Sequence, residues 1–296
     1  MTVLVIGEAL VDVVEREGSE PEPHAGGSPF NVAVGLARLD VPAVLAAQIG
    51  DDRYGDGLRW HLDDSDVTLA SLGPIPEQTS TARATIAADG SASYVFDLTW
   101  NPDEMPDPAA FEAVHVGSLG TVIEPGAALL TDLVMSADVL GVPVSFDPNI
   151  RLTVEPDAAV WRRVFDAIAP HASIIKMSDE DASTLFPGED PRDVAGRLAA
   201  DHGIVAITLG GEGSVVAARD LLVTVPPADV RVVDTIGAGD SFMAAMLAWC
   251  ATYEWPTAAE LDATELRDLA MYASSAAAIT CSRPGADPPR TRELTP

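Results

Sequence analysis

Apolar residues fall into short runs separated by stretches where they recur at helical spacing. Val3–Gly7 ends on glycine and reads as a buried strand. Phe30, Ala33, Val34 and Ala37 recur at helical spacing and predict a helix over Phe30–Leu39, with Asn31 near its start. Val44–Ile49 predicts a further strand and Tyr54–Leu62 a further helix. From Ala113 the pattern becomes regular. Strands Ala113–Val116, Val142–Phe146, Ser173–Met177 and Val205–Leu209 alternate with helices Pro125–Leu140, Asp157–Ile168, Asp179–Leu185 and Pro191–Asp201, and a strand pair, Ser214–Ala218 and Leu221–Val225, follows. This alternation predicts an α/β fold with a doubly wound, mostly parallel sheet flanked by helices, whose ligands bind beyond the carboxyl ends of the strands. Thr81–Ala87 and Ser91–Asp97 interrupt it. Asp89-Gly90 between them is a hairpin signal, and their polar/apolar alternation implies one open face. The hairpin, with part of the N-terminus, is therefore expected to form a small β lid. Pro102–Pro108 and Pro284–Pro289 are expected as loops.

The most specific chemistry lies in Asp234-Thr235-Ile236-Gly237-Ala238-Gly239-Asp240-Ser241-Phe242, which runs into a buried-helix pattern over Phe242–Cys250. Small residues let the amides of Gly237, Ala238 and Gly239 converge at a helix N-terminus, an anion site. Asp240 would repel that anion unless it takes a proton from an attacking hydroxyl. The combination points to phosphoryl transfer to an alcohol; the rival reading of Asp240 is a structural cap. A second segment, Gly26-Gly27-Ser28-Pro29-Phe30-Asn31, places a glycine pair before a helix, where the backbone can approach a ligand closely. Asn31 can donate to and accept from sugar hydroxyls, or serve as a turn and cap residue.

Composition narrows the options. The 296 residues hold 17 Lys and Arg against 46 Asp and Glu, a formal net charge of -29, which argues against nucleic-acid or anionic-membrane partners. Lys176 is the only lysine and stands in an apolar strand context, so the P-loop pattern is absent and the Gly-Ala-Gly turn gains weight. Cys250 and Cys281 make no disulfide framework; both are expected buried, in a reducing compartment. No basic leader and no run of transmembrane length is evident, so a cytoplasmic location is expected. The five histidines are scattered and no G-x-S-x-G elbow exists, which argues against transition-metal and serine-hydrolase chemistry.

Gly26-Gly27 with Asn31, and Asp234–Phe242, resemble the two signature motifs of the ribokinase-type (PfkB) carbohydrate kinases. The resemblance runs through nearly the whole chain: Gly7-Glu8-Ala9-Leu10-Val11-Asp12 is similar to the family's opening strand and sugar-binding Asp, and Phe146-Asp147-Pro148-Asn149-Ile150-Arg151 to its D-P-N-x-R segment. Ser178-Asp179-Glu180-Asp181 resembles its N/S-x-x-E/D segment, and Thr208-Leu209-Gly210-Gly211-Glu212-Gly213 its nucleotide loop. This resemblance implies that residues 1–296 form one ribokinase-like domain with a lid from about 8–25 and 78–100. It implies that Asp240 is the general base, that Gly237, Ala238 and Gly239 form the anion hole, and that Arg151 approaches the phosphates. By the same likeness Asp12, Gly26, Gly27 and Asn31 bind the sugar, and Ser178, Thr208, Gly210 and Gly213 line the ATP site. It further implies that Asp181 holds Mg2+ through water, the rival reading being a solvated helix-face acid. Asp234, Ile236, Thr280, Arg283 and Gly285 resemble the family's monovalent-cation loop for K+. The opening segment, the Gly-Gly-Ser-Pro-x-Asn form and the lid segment Tyr94–Trp100 look most like the fructokinase branch, and Phe96 or Trp100 would stack on the sugar or pack the lid. Rival acceptors are 2-keto-3-deoxygluconate, ribose or a nucleoside; a catalytically silent sugar-binding regulator is the rival from another class. The family's lids imply a homodimer through the lid.

Overall fold

The computed structural model describes residues 2–16, 20–86 and 92–294. In chain order they form β1 (Val3–Ile6), β2 (Leu10–Arg16), β3 (Glu22–Gly26), α1 (Ser28–Arg38), β4 (Ala43–Ala47), α2 (Arg53–Asp64), β5 (Thr68–Ser71), β6 (Thr81–Ile86) and β7 (Ala92–Asp97). Then come β8 (Ala113–Gly117), α3 (Gly126–Val139), β9 (Val144–Asp147), α4 (Ala158–Ile168), β10 (Ile174–Ser178), α5 (Asp179–Leu185), α6 (Pro191–His202), β11 (Ile204–Thr208), β12 (Ser214–Ala218), β13 (Leu221–Val225), α7 (Ala238–Thr252), α8 (Ala263–Cys281) and α9 (Thr291–Leu294).

The main sheet has nine strands in the order β13-β12-β11-β10-β9-β8-β1-β4-β5. From β11 to β5 neighbours pair in parallel; β12 and β13 are antiparallel additions at one edge. This is the doubly wound, mostly parallel sheet expected. Its central strands are buried on both faces, which is why they read as unbroken apolar runs. On one face α1, α7 and α8 build a core around Phe30, Leu36, Phe242, Met246 and Leu266. On the other, α3, α4 and α6 contribute Leu130, Trp161, Phe165 and Leu198. The chain leaves β1 for β4 on one side and returns to β8 on the other, so the strand order reverses there and opens a crevice at the carboxyl ends.

A second sheet has the order β3-β2-β6-β7. Two antiparallel pairs, β2 with β3 and β6 with β7, are joined by a parallel pairing of β2 with β6. Val11 and Val13 join the main core, whereas Val95 on β7 is 63% exposed, so one face is open. The Ala88-Asp89-Gly90 turn lies outside the described residues. Three features differ from the sequence reading. β5 has no apolar run and is half exposed; its parallel pairing with β4 makes it a strand. Cys281, expected buried, is half-buried because α8 ends there, while Cys250 is fully covered and burial pushes its thiol up to about 12. Trp100 lies in the core at 2% exposure. Among the described residues no helix is long and apolar enough to cross a membrane.

Candidate active site

α7 starts from Gly237, which has a left-handed φ of 73° and no side chain to cap the helix. A Cβ at Gly237 would also lie 2.6 Å from the Cβ of Ala286, so both backbone and space demand glycine. Ala238, Gly239 and Asp240 form the first turn, whose amides lack intrahelical acceptors; Ala238 N–H reaches back to the Thr235 carbonyl at 3.3 Å. The Asp240 carboxylate does not cap the helix. Its Oδ1 accepts from Ser28 Oγ at 2.6 Å and its Oδ2 from Asn31 Nδ2 at 2.7 Å, all three residues being buried.

The same pair of bonds answers the cap reading of Asn31. The N-cap of α1 is Gly27, with φ 100° and no side-chain bond, and Asn31 stands inside the helix pointing at α7. Gly27 brings the backbone close: a Cβ there would lie 2.6 Å from the Glu8 carbonyl oxygen. One turn beyond Asn31, a Cβ at Gly35 would lie 2.6 Å from the Cβ of Ala244. That missing side chain is what lets α1 close on α7 and carry Ser28 and Asn31 to Asp240.

Asp12 on β2 is half-buried, and a Cβ on Gly26 of β3 would collide with its Oδ2, so Gly26 makes room for that carboxylate. Burial raises the Asp12 pKa against the pull of His24 and Arg151. Glu8 is buried and accepts from Gly120 N–H at 3.0 Å; burial pushes its carboxyl up to about 7, against Ser118, Gly120 and Arg151. Arg151 is exposed just after β9, and its charge reaches both acids. Phe96 is half-buried on β7 opposite Ala82. Trp100 donates its indole N–H to the Gly120 carbonyl at 2.9 Å, which fixes the ring in the core and not on the open face of the small sheet.

Towards the far strands, Ser178 caps α5 reciprocally with Asp181: Ser178 Oγ accepts from Asp181 N–H at 3.0 Å, and Asp181 Oδ2 accepts from Ser178 N–H at 3.0 Å. Asp181 Oδ1 takes Ile150 N–H at 2.9 Å, so the residue is buried and is not a solvated helix-face acid. Among the described residues no group of three or more His, Cys, Asp or Glu could hold a metal ion. Each Asp181 oxygen keeps a lone pair that suits a metal-bound water, the mode Mg2+ prefers when it travels with phosphates. Thr208 ends β11; Gly210 at φ 53° and Gly213 at φ 95° turn the chain into β12, with Leu209 N–H closing on the Gly213 carbonyl at 2.8 Å.

Asp234 gathers the other loop. Its Oδ1 accepts from Ile236 N–H at 3.1 Å and its Oδ2 from Gly285 N–H at 2.9 Å. Ile236 is 57% exposed, Thr280 is buried 2.7 Å from Ser241 Oγ, and Arg283 pairs with Asp287 and Glu293. The Thr280 and Gly285 carbonyls already accept from the N–H groups of Arg283 and Asp287, so a K+ would use their second lone pairs.

The sequence reading assigned no role to Ser28, Glu8 or the buried pair Lys176–Asp147, whose Nζ–Oδ2 distance is 2.8 Å. For Ser28 a signal existed: three residues before Asn31, it shares that residue's helix face. For Lys176 the signal was a lone ammonium in a strand buried on both faces, which demands a carboxylate nearby.

A family model described as pfkB family carbohydrate kinase matches residues 2–292. The chain is 30% identical over 305 residues to a probable fructokinase-4 of Arabidopsis thaliana, covering 97% of this chain and 92% of that protein. It is 32% identical over 259 residues to a fructokinase of Rhizobium leguminosarum bv. trifolii, covering 83% and 78%. In fold it resembles the fructokinase of Vibrio cholerae O395 solved with fructose, ADP and calcium ion, with a TM-score of 0.80 at 24% identity, covering 99% and 95%.

Proposed function

The chain belongs to the pfkB family of carbohydrate kinases, and from that premise we propose that it transfers the γ-phosphoryl group of ATP to the 6-hydroxyl of fructose. The observation that carries this reading is the buried Asp240 carboxylate on the first turn of α7, joined to Asn31 and Ser28 at 2.7 and 2.6 Å. Asp12, the Gly27 backbone and Asn31 bind the sugar's hydroxyls. The 6-hydroxyl takes the place of one donor on Asp240 and gives up its proton there as its oxygen bonds the γ-phosphorus. The bond from that phosphorus to the β,γ-bridging oxygen breaks, and ADP leaves with the electron pair. Amides of Gly237, Ala238 and Gly239, with the positive end of the α7 dipole, stabilise charge on the transferring oxygens. Arg151 adds to that field. Ser178, Thr208, Gly210 and Gly213 line the nucleotide site. Asp181 would hold Mg2+ through water, where the ion would supply further charge neutralisation, and the Asp234–Gly285 loop would hold K+.

The small sheet acts as a lid that excludes water once sugar is bound, and its open face, including Val95, pairs two subunits. The burial of Trp100 supports a sugar over a nucleoside acceptor, because it leaves Phe96 alone to clamp a base. The test is ADP release over a panel of fructose, ribose, 2-keto-3-deoxygluconate and nucleosides, with Asp240→Asn beside the wild type. Fructose should rank first, and Asp240→Asn should lose roughly 10²–10⁴-fold in turnover while ATP still binds. Near-normal turnover in that variant would remove the base assignment.

A further inference from the structure

Lys176 sits on β10 at 2% exposure, and its Nζ donates to Asp147 Oδ2 at 2.8 Å. Asp147 ends β9 with no exposed surface, and its Oδ1 accepts from Asn149 N–H at 3.2 Å. A Cβ on Gly239 would lie 2.8 Å from Nζ. The ammonium is therefore directly under the α7 turn that bears the proposed anion hole and base, and a side chain at residue 239 would displace it. Three buried acids from three elements face it: Asp147 from β9, Asp181 from α5 and Asp240 from α7, with the neutral imidazole of His115 on β8 nearby. Burial disfavours the ammonium, yet those carboxylates outweigh it and hold the Lys176 pKa above its ordinary value.

Packing alone gives no reason for this arrangement. Its strand neighbours Ile175 and Met177 are fully buried hydrophobes, and an apolar pair of similar volume is commonly as stable as a buried ion pair or more so. A chain with a net charge of -29 has instead put its one lysine where a triphosphate must meet a carboxylate. We infer that Lys176 is a positioning residue for phosphoryl transfer. Oriented by Asp147 and touching neither reactant, it supplies the positive charge under α7 that lets Asp240 and the γ-phosphoryl group share one turn. The inference rests on the reading of Asp240 as the base.

Removing Lys176 alone would strand Asp147, so the comparison is between Asp147→Asn, which keeps the ammonium, and Asp147→Asn with Lys176→Met, which removes both charges. Thermal unfolding establishes that both fold. Kinetics with fructose and calorimetry with ADP and a non-hydrolysable ATP analogue supply the readouts. Relative to Asp147→Asn, the double variant should lose about 30-fold or more in kcat with KM for fructose within about threefold, the pattern of an interaction made chiefly in the transition state. Its preference for the ATP analogue over ADP should fall about tenfold. Equal kcat and an equal nucleotide preference in the two variants would overturn the inference and leave the base assignment standing, provided Asp240→Asn is inactive. An active Asp240→Asn would instead sink the reading on which the inference rests.

Discussion

Glu8 shows how burial tunes single residues near this crevice. Its carboxyl, ordinarily near 4.5, is pushed up to about 7, with desolvation the largest cause. An acid whose pKa rises on folding loses its proton first in the unfolded chain, so its contribution to stability falls as pH climbs from about 4.5 to about 7. That span corresponds to about 3 kcal/mol. Denaturant unfolding of wild type and Glu8→Gln at about pH 4.5 and pH 8 reads it directly: relative to the variant, the wild type should lose roughly 3 kcal/mol on going up. His115, held neutral with its pKa near 3 by burial and Lys176, works with the opposite sign, but it is common to both proteins and cancels. At this scale the sequence was informative on local placement: a glycine turn before an apolar run puts Asp240 on the first turn of a buried helix. It was silent on Glu8, because a carboxyl buried by the tertiary fold, with its hydrogen-bond donor Gly120 more than a hundred residues away, leaves no mark on neighbouring positions.

Between elements, the decisive contact is the crossing of α1 and α7. Gly35 faces Ala244 with no Cβ, and one turn earlier Asn31 reaches Asp240. Gly35→Ala would insert a methyl group where a contact of 2.6 Å would result, so the helices must part by a fraction of a turn's width. The expected cost is about 1–3 kcal/mol of stability, against a gain in helix propensity of about 1 kcal/mol. Turnover should drop several-fold as the Asn31–Asp240 bond lengthens, measured by melting and by fructose kinetics on the same preparation. The elements themselves were largely legible, because strands buried on both faces must be apolar throughout and the helices between them amphipathic. β5 was not, since an edge strand half in solvent needs no pattern and is defined by its partner β4. Trp100 was misleading for a related reason: aromatic residues near a lid suggest stacking, and only the Gly120 carbonyl reveals that this one is anchored inward.

Across the whole molecule, 46 acidic residues confront 17 basic ones. Self-repulsion on this scale destabilises the compact state, and salt screens it. The melting temperature should therefore rise by several degrees between about 10 mM and 500 mM NaCl; a flat profile would show that local pairing already offsets the repulsion. The doubly wound topology was readable because alternating strands and helices admit few other arrangements. The joining of the small sheet through the parallel β2–β6 pairing was not, since a hairpin signal says nothing about which strand lies alongside. Lys176 is the chain's single lysine. With its Nζ sealed beneath α7 and hydrogen-bonded to Asp147, an acylating reagent in solution meets no ε-amine on the folded surface. Acylation of Lys176 thus becomes a one-site clock for how often the space beneath the first turn of α7 comes open, readable by mass spectrometry with no substitution introduced into the protein.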